Sequence, residues 1–360
     1  MEGTMNVYPR FAGKERPMST PTEMRAAVAE QFGPTVNVKE IDLPAPGPFQ
    51  ALVKLHASGV CHTDLHAVEG DWPVKPQPPF VPGHEGVGEI VELGPGEHSV
   101  EVGDMVGNAW LWSACGECEF CRTGRETYCK QAEYGGYTVN GSFGQYMLVD
   151  TRYAPRIPKG ADPVEIAPIL CAGVTVYKGL KETGTKPGEF MVISGIGGLG
   201  HLAVQYGVAM GMRVIAVDIA DDKLELAKEL GAEFAVNAAT TDPGDAIQEF
   251  TGGGAHGILV TAVHTEAFGQ AIAMCRSNGT IVFVGLPPGD FPAPIFDIVL
   301  RGIAIKGSLV GTRQDMAEAI DFYARGKVKP RVTACELDDI NEVFEDMRNG
   351  KIAGRISIKY

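Results

Sequence analysis

The stretch Met191–Asp218, MVISGIGGLGHLAVQYGVAMGMRVIAVD, decides how the chain is built. MVIS is a short β-branched run, which signals a strand. Gly195, Gly197 and Gly200 follow in G-x-G-x-x-G spacing, and a helical pattern opens at the last of them. A second strand pattern, RVIAV, ends in Asp218, 18 residues beyond Gly200. The run is apolar enough to be mistaken for a membrane span, but His201, Gln205, Arg213 and the glycines interrupt it. Strand, glycine turn, helix, strand and terminal acid together form a dinucleotide fingerprint, far more specific than the glycines alone. Gly195 permits the tight turn, Gly197 lets the backbone approach a pyrophosphate, and Gly200 allows close helix–strand packing. Gly198 and Leu199 complete the loop, and the helix N-terminus offers N–H groups to phosphate. Asp218 can accept hydrogen bonds from ribose hydroxyls and would repel a 2′-phosphate, so NAD is favoured over NADP.

Around this unit the texture is regular. FAV, ILVTA, TIVFVG and IAIKG add four strand patterns, separated by helical patterns such as DKLELAKELG and TEAFGQAIAMC. Six strands alternating with helices predict an α/β, doubly wound parallel sheet over residues 171–308. Residues 24–170 read differently, as short β-rich pieces such as ALVKLHASGV, GVGEIVELG and FGQYMLVD, broken by Gly and Pro. Beyond residue 309 a helix pattern leads to a strand-like GRISIKY, expected to return to the first domain. Residues 1–23 lack an apolar core and read as a mobile extension, not a secretory signal. Glu97 is expected in a surface turn.

The chain has 360 residues, with 31 Lys and Arg against 45 Asp and Glu, a net charge of −14. That balance opposes general binding to nucleic acid or to anionic membranes. The composition is that of a globular, cytoplasmic, enzyme-sized protein, in which closely spaced cysteines are metal ligands or catalytic groups more often than disulfides.

Four of the eight cysteines lie in CGECEFCRTGRETYC, spaced Cys115-x2-Cys118-x2-Cys121-x7-Cys129. Four thiolates around Zn2+ would close the tetrahedron and make the site structural. A [4Fe–4S] cluster shares the C-x2-C-x2-C spacing. GVCHTDLH, VPGHEGVG and ILCAGVT contribute Cys61, His84 and Cys171, a Cys2His set suited to catalytic zinc with an open position. These three are 23 and 87 positions apart, and spacing alone does not join them. Cys275 and Cys335 read as buried thiols, and His201 as a structural histidine.

Taken in this order, GHEGVG, CHTDLH, the four-cysteine lobe, LCAG and SGIGGLG resemble the zinc-dependent medium-chain alcohol dehydrogenases, over roughly residues 24–360. The resemblance implies a GroES-like β-rich catalytic domain (24–170 and 309–360, with the lobe at 115–129) and a Rossmann coenzyme domain (171–308). It implies catalytic zinc on Cys61, His84 and Cys171, structural zinc on Cys115, Cys118, Cys121 and Cys129, and NAD as coenzyme. Glu85 matches a carboxylate near the metal, and Asp64 one that orients the zinc-bound histidine. Thr63 and His66 match a proton relay. His62, at a position often held by Arg, and Arg355 match pyrophosphate contacts. Lys223 matches a ribose contact beside Asp218, and Thr175 a further coenzyme contact. Trp72, Trp110 and Leu309 match pocket positions, which points to short primary alcohols and their aldehydes. Sorbitol-type polyols are the rival substrates, and a zinc-lobe binding module is the rival class. The short stretch between Cys129 and Cys171 is similar to that of the tetrameric bacterial and yeast forms.

Overall fold

The structure is a computed structural model that describes residues 21–96 and 98–360. Most of the expected N-terminal extension, residues 1–20, and Glu97 lie outside the described residues.

The N-terminal half contains β1 (Glu23–Val28), β2 (Asn37–Asp42), β3 (Gln50–Val60), β4 (Glu85–Leu93), β5 (Met105–Gly107), β6 (Leu111–Ser113), β7 (Glu133–Tyr134) and β8 (Tyr146–Asp150). Its helices are short: α1 (His62–Glu69), α2 (Glu119–Arg122) and α3 (Pro163–Ile166). Helix α4 (Ala172–Thr183) then leads into strict alternation. The order is β9 (Phe190–Ser194), α5 (Gly200–Ala209), β10 (Arg213–Asp218), α6 (Asp221–Glu229), β11 (Phe234–Asn237), α7 (Pro243–Thr251), β12 (Ala255–Val260), α8 (Thr265–Met274), β13 (Cys275–Phe283), α9 (Ile295–Arg301) and β14 (Ala304–Gly307). The chain closes with α10 (Arg313–Ala324), β15 (Val332–Cys335), α11 (Ile340–Arg348) and β16 (Arg355–Lys359).

All six strand patterns read from residue 191 onward form one parallel sheet, ordered β11-β10-β9-β12-β13-β14. The order reverses between β9 and β12, and at such a switch point the strand ends open a crevice for a ligand. The strands are almost wholly apolar because helices cover both faces: Val192, Ile193, Ile215 and Ile258 are fully buried. The second sheet is largely antiparallel, β15-β16-β3-β4-β5, with β8 also on β3. Strand β16 pairs with β3, Ile356 opposite Val60, so the chain's last strand lies beside one of its first. Cys275 is buried as expected, whereas Cys335 is only half-buried.

Candidate active site and metal centres

Helix α1 starts where β3 ends, and its first turn carries much of the chemistry. Cys61 is the N-cap residue, and the Asp64 carboxylate accepts its N–H at 2.9 Å. The same carboxylate accepts from Gly83 N at 3.2 Å and from His84 Nδ1 at 2.7 Å. One buried acid thus caps a helix, holds a loop and fixes an imidazole with its Nε2 directed away.

That Nε2 has no hydrogen-bond partner although it is buried, and neither has Glu85 Oε2. Buried polar atoms left unpaired are costly and call for an explanation. Here a ligand set supplies it: the donor atoms of Cys61, His84, Glu85 and Cys171 all lie within 4.8 Å of one another, and all four residues are buried. Sulfur, imidazole and carboxylate donors at that spacing fit Zn2+. The set is larger by one than the Cys2His trio expected from sequence, because Glu85 turns inward. Its other oxygen pairs with the Arg355 guanidinium, which is itself 5% exposed. Burial pushes the Glu85 carboxyl up to about 7, against the pull of Arg355. Gly59 is required opposite: a Cβ there would lie 1.9 Å from Glu85 Oε2.

The four-cysteine lobe forms a second cluster, Cys115, Cys118, Cys121 and Cys129. Its sulfurs lie 3.6 Å (Cys118–Cys121), 3.6 Å (Cys115–Cys129) and 3.9 Å (Cys115–Cys121) apart. A tetrahedron with Zn–S bonds of about 2.3 Å has edges of about 3.8 Å. The spacing matches one ion, is far too long for disulfides, and leaves no room for a four-iron cluster.

At the dinucleotide loop the glycines act in different ways. Gly195 has φ +95°, and a Cβ there would meet Ala262 N, just past β12, at 2.7 Å. At Gly200 a Cβ would strike Gly195 O at 1.9 Å. A Cβ built on Gly197 would meet nothing within 4 Å, so that side of the loop is open to the approach of a pyrophosphate. Gly198 backs onto the Arg355 side chain, and Leu199 is the N-cap residue of α5. Asp218 Oδ2 accepts from Ile196 N at 2.6 Å, and its Oδ1 accepts from Ile219 N and Ala220 N. It thereby joins the glycine loop to the end of β10, and Oδ2 keeps a free lone pair. Lys223 Nζ stands 4.0 Å from Oδ1.

Most of the remaining expected residues lie on α1, on α4 or in the aromatic wall beside His84. Thr63 and His66 share α1 with Asp64, and His62 is exposed at its first position. His66 Nδ1 is 2.9 Å from Asp71 Oδ2, and its ring stacks on Trp72 at 5.2 Å. Trp72 meets Trp110 edge-on at 6.3 Å, and Trp110 meets the His84 ring at 5.3 Å. Tyr134 and Tyr137 extend this aromatic wall, each 5.1 Å from Trp110. Sequence reading missed both tyrosines, since nothing in EYGGYTVN announces them. Thr175 lies one turn along α4 from its N-cap residue Cys171. Leu309 follows β14, and its carbonyl accepts from Lys178 Nζ at 3.1 Å.

A parallel sheet with a dinucleotide crevice, set against a β-rich half with two zinc-competent clusters, defines a zinc- and nucleotide-dependent oxidoreductase. Comparison with known proteins agrees. Residues 47–159 match the alcohol dehydrogenase GroES-like domain, and residues 198–325 match the zinc-binding dehydrogenase family. An alcohol dehydrogenase of Moraxella sp. (strain TAE123) is 60% identical, covering 94% of this chain and 99% of its own. One from Geobacillus stearothermophilus is 54% identical, over 93% and 99%. The crystal structure of the Aeropyrum pernix alcohol dehydrogenase superposes with TM-score 0.86 at 32% identity, over 93% of this chain and 100% of that one. Acetophenone reductase from Geotrichum candidum NBRC 4597, solved in complex with NAD, gives 0.85 at 29%, over 95% and 98%. The chain belongs to the zinc-dependent medium-chain alcohol dehydrogenases. Its cofactors are zinc, at the two clusters, and a nicotinamide dinucleotide.

Proposed function

We propose that the protein oxidises short primary alcohols to aldehydes, and reduces those aldehydes, with NAD as coenzyme. The observation that carries this reading is His84: its buried, unpartnered Nε2 sits among thiol and carboxylate donors, while the Trp110 indole meets its ring edge-on. When bound, zinc supplies Lewis acidity toward a hydroxyl, and NAD supplies the hydride-accepting ring. The chain's own residues do the rest. Cys61, His84 and Cys171 hold the ion, with Glu85 and Arg355 beside it. Thr63 hydrogen-bonds the substrate hydroxyl, and His66 carries its proton to solvent. The Asp71 carboxylate holds His66 Nδ1, which leaves Nε2 to exchange the proton.

The free lone pair of Asp218, next to Lys223, favours a ribose diol over a 2′-phosphate. Trp72 and Trp110 stand close enough to narrow the slot to short chains. The division of the chain at residues 170 and 309 is part of this reading, supported by the change of sheet between β8 and β9 and again between β14 and β15. So is the cytoplasm as compartment, supported by eight cysteines without a disulfide. Homo-oligomer formation, expected as a tetramer, is supported by α9. Ile295, Phe296, Val299 and Leu300 lie there 69–79% exposed, beside the sheet's edge strand β14. Among the described residues no single helix is long and apolar enough to cross a membrane.

The test is a panel of ethanol, propanol, longer alcohols and sorbitol with NAD and with NADP, read as kcat/KM. Ethanol with NAD is expected to lead. Preference for sorbitol would replace this reading with that of a polyol dehydrogenase.

A further inference from the structure

Lys178 is a lysine in the wrong place for a lysine. It lies on α4, 4% exposed, and burial lowers its ammonium pKa. No described carboxylate pairs with it within 4.0 Å. Instead its Nζ donates to Leu309 O at 3.1 Å and to Thr127 Oγ1 at 3.3 Å, and lies 4.9 Å from the centre of the Tyr128 ring. Burying an ammonium on such partners is unfavourable compared with a well-packed apolar side chain. Asp315, Glu182 and Glu126 attract the ammonium from a distance and offset part of that cost, but burial outweighs them; its direct partners suggest a further reason.

Thr127 and Tyr128 belong to the turn Glu126–Tyr128, which immediately precedes the lobe cysteine Cys129. Leu309 lies in the short segment that leads from β14 to α10. Lys178 is therefore a strut between lobe and segment, and it shares a face of α4 with Cys171 and Thr175 at helical spacing. A second tie runs in parallel. Glu126, 3% exposed, accepts from both Arg313 N and Arg313 Nε at 3.1 Å. Between the two ties the backbone is constrained. Val310 has φ +37°, a left-handed conformation that a β-branched residue adopts only under restraint. At Gly311 a Cβ would lie 2.1 Å from Val174 Cγ2 of α4.

We propose that Lys178 is a positioning residue through which the four-cysteine lobe holds the Leu309 backbone, and with it the nicotinamide end of the coenzyme cleft. This rests on the reading of Leu309 as a wall of that cleft. The lobe then acts on coenzyme geometry as well as on stability.

Lys178→Met, Lys178→Arg and Leu309→Ala holoenzymes, each checked for two zincs per chain, test it. NADH is titrated by its own fluorescence, and ADP-ribose, which lacks the nicotinamide, by competition. Lys178→Met should bind NADH about 10-fold more weakly, with ADP-ribose within 2-fold of wild type. Lys178→Arg should recover most of the loss, and Leu309→Ala should shift the same ratio. Should Lys178→Met fail to fold, Tyr128→Leu removes the ring face and should shift the ratio in the same direction. If Leu309→Ala shifts the NADH to ADP-ribose ratio while Lys178→Met and Tyr128→Leu only lower Tm, the strut is wrong. If Leu309→Ala leaves the ratio untouched, the reading of Leu309 falls, and the proposal with it.

Discussion

Asp64 Oδ1 lies 2.7 Å from His84 Nδ1, and both side chains are 1% exposed. The pair sets the tautomer of His84 and the direction of its Nε2 before any ion arrives. Asp64→Asn keeps the shape but removes the charge. It should cost about 10- to 100-fold in zinc affinity, the usual effect of losing a partner behind a metal ligand. Competition against a chromogenic chelator measures this, and kcat/KM for ethanol should fall in parallel. Unchanged zinc affinity would contradict the role given to Asp64.

Gly59 faces Glu85 across the paired strands β3 and β4. In Gly59→Ala the methyl group would sit 1.9 Å from Glu85 Oε2, so the carboxylate must move and disturb Arg355. A loss of about 1–3 kcal/mol is expected from overpacking, read as a lower denaturation midpoint, together with slower turnover. A variant with wild-type stability and kinetics would show that Glu85 has room the structure denies it.

Trp72 stacks on His66 and closes one side of the aromatic wall. Trp72→Leu should widen the slot and raise the hexanol-to-ethanol ratio of kcat/KM by on the order of 10-fold, since one methylene in an apolar pocket is worth about that much. No change in the ratio would assign Trp72 to packing alone.

His201, 1% exposed on α5, accepts from Arg331 N at 3.3 Å through Nε2, and its Nδ1 lies 3.1 Å from Gly197 O. Burial lowers its pKa from the usual 6.5 to about 4. The native state therefore keeps the ring neutral where the unfolded chain would take up a proton. The stability gained is complete above pH 6.5 and is lost as pH falls toward 4, by roughly 3 kcal/mol at most. His201→Gln should flatten the urea midpoint between pH 4.5 and 7 relative to wild type. Identical slopes would refute the shift.

Phe296 and Leu300 project from α9 at 75% and 69% exposure. The double substitution Phe296→Glu and Leu300→Glu should reduce the sedimentation coefficient to that of a smaller assembly while the far-ultraviolet CD stays unchanged. An unaltered coefficient would move the subunit contact elsewhere.

The sheet of six strands was legible because each strand carries its own apolar run, bounded by Gly or by a helix pattern. The lobe was legible because its ligands are neighbours in sequence. The catalytic cluster was legible only through resemblance, since β3, the loop before β4 and the start of α4 meet through tertiary packing that leaves no local spacing. Glu85 reads as one acid in GHEGVG, and only the fold turns it inward against Arg355. Lys178 is the hardest case. In VTVYKGLKETG it looks like a solvent-facing helix residue, and its burial depends on a lobe turn 51 positions earlier and a carbonyl 131 positions later.

The pairing of β16 with β3 also orders events during synthesis. Arg355 meets Glu85 across 270 residues, and Ile356 pairs with Val60. The parallel sheet between them is contiguous and can fold as soon as it clears the ribosome. The ion pair that Glu85 of the metal cluster makes with Arg355 cannot form until the chain's last strand has followed. A nascent chain thus carries its parallel sheet before it carries the Arg355 side chain that backs both the coenzyme loop and the reaction centre.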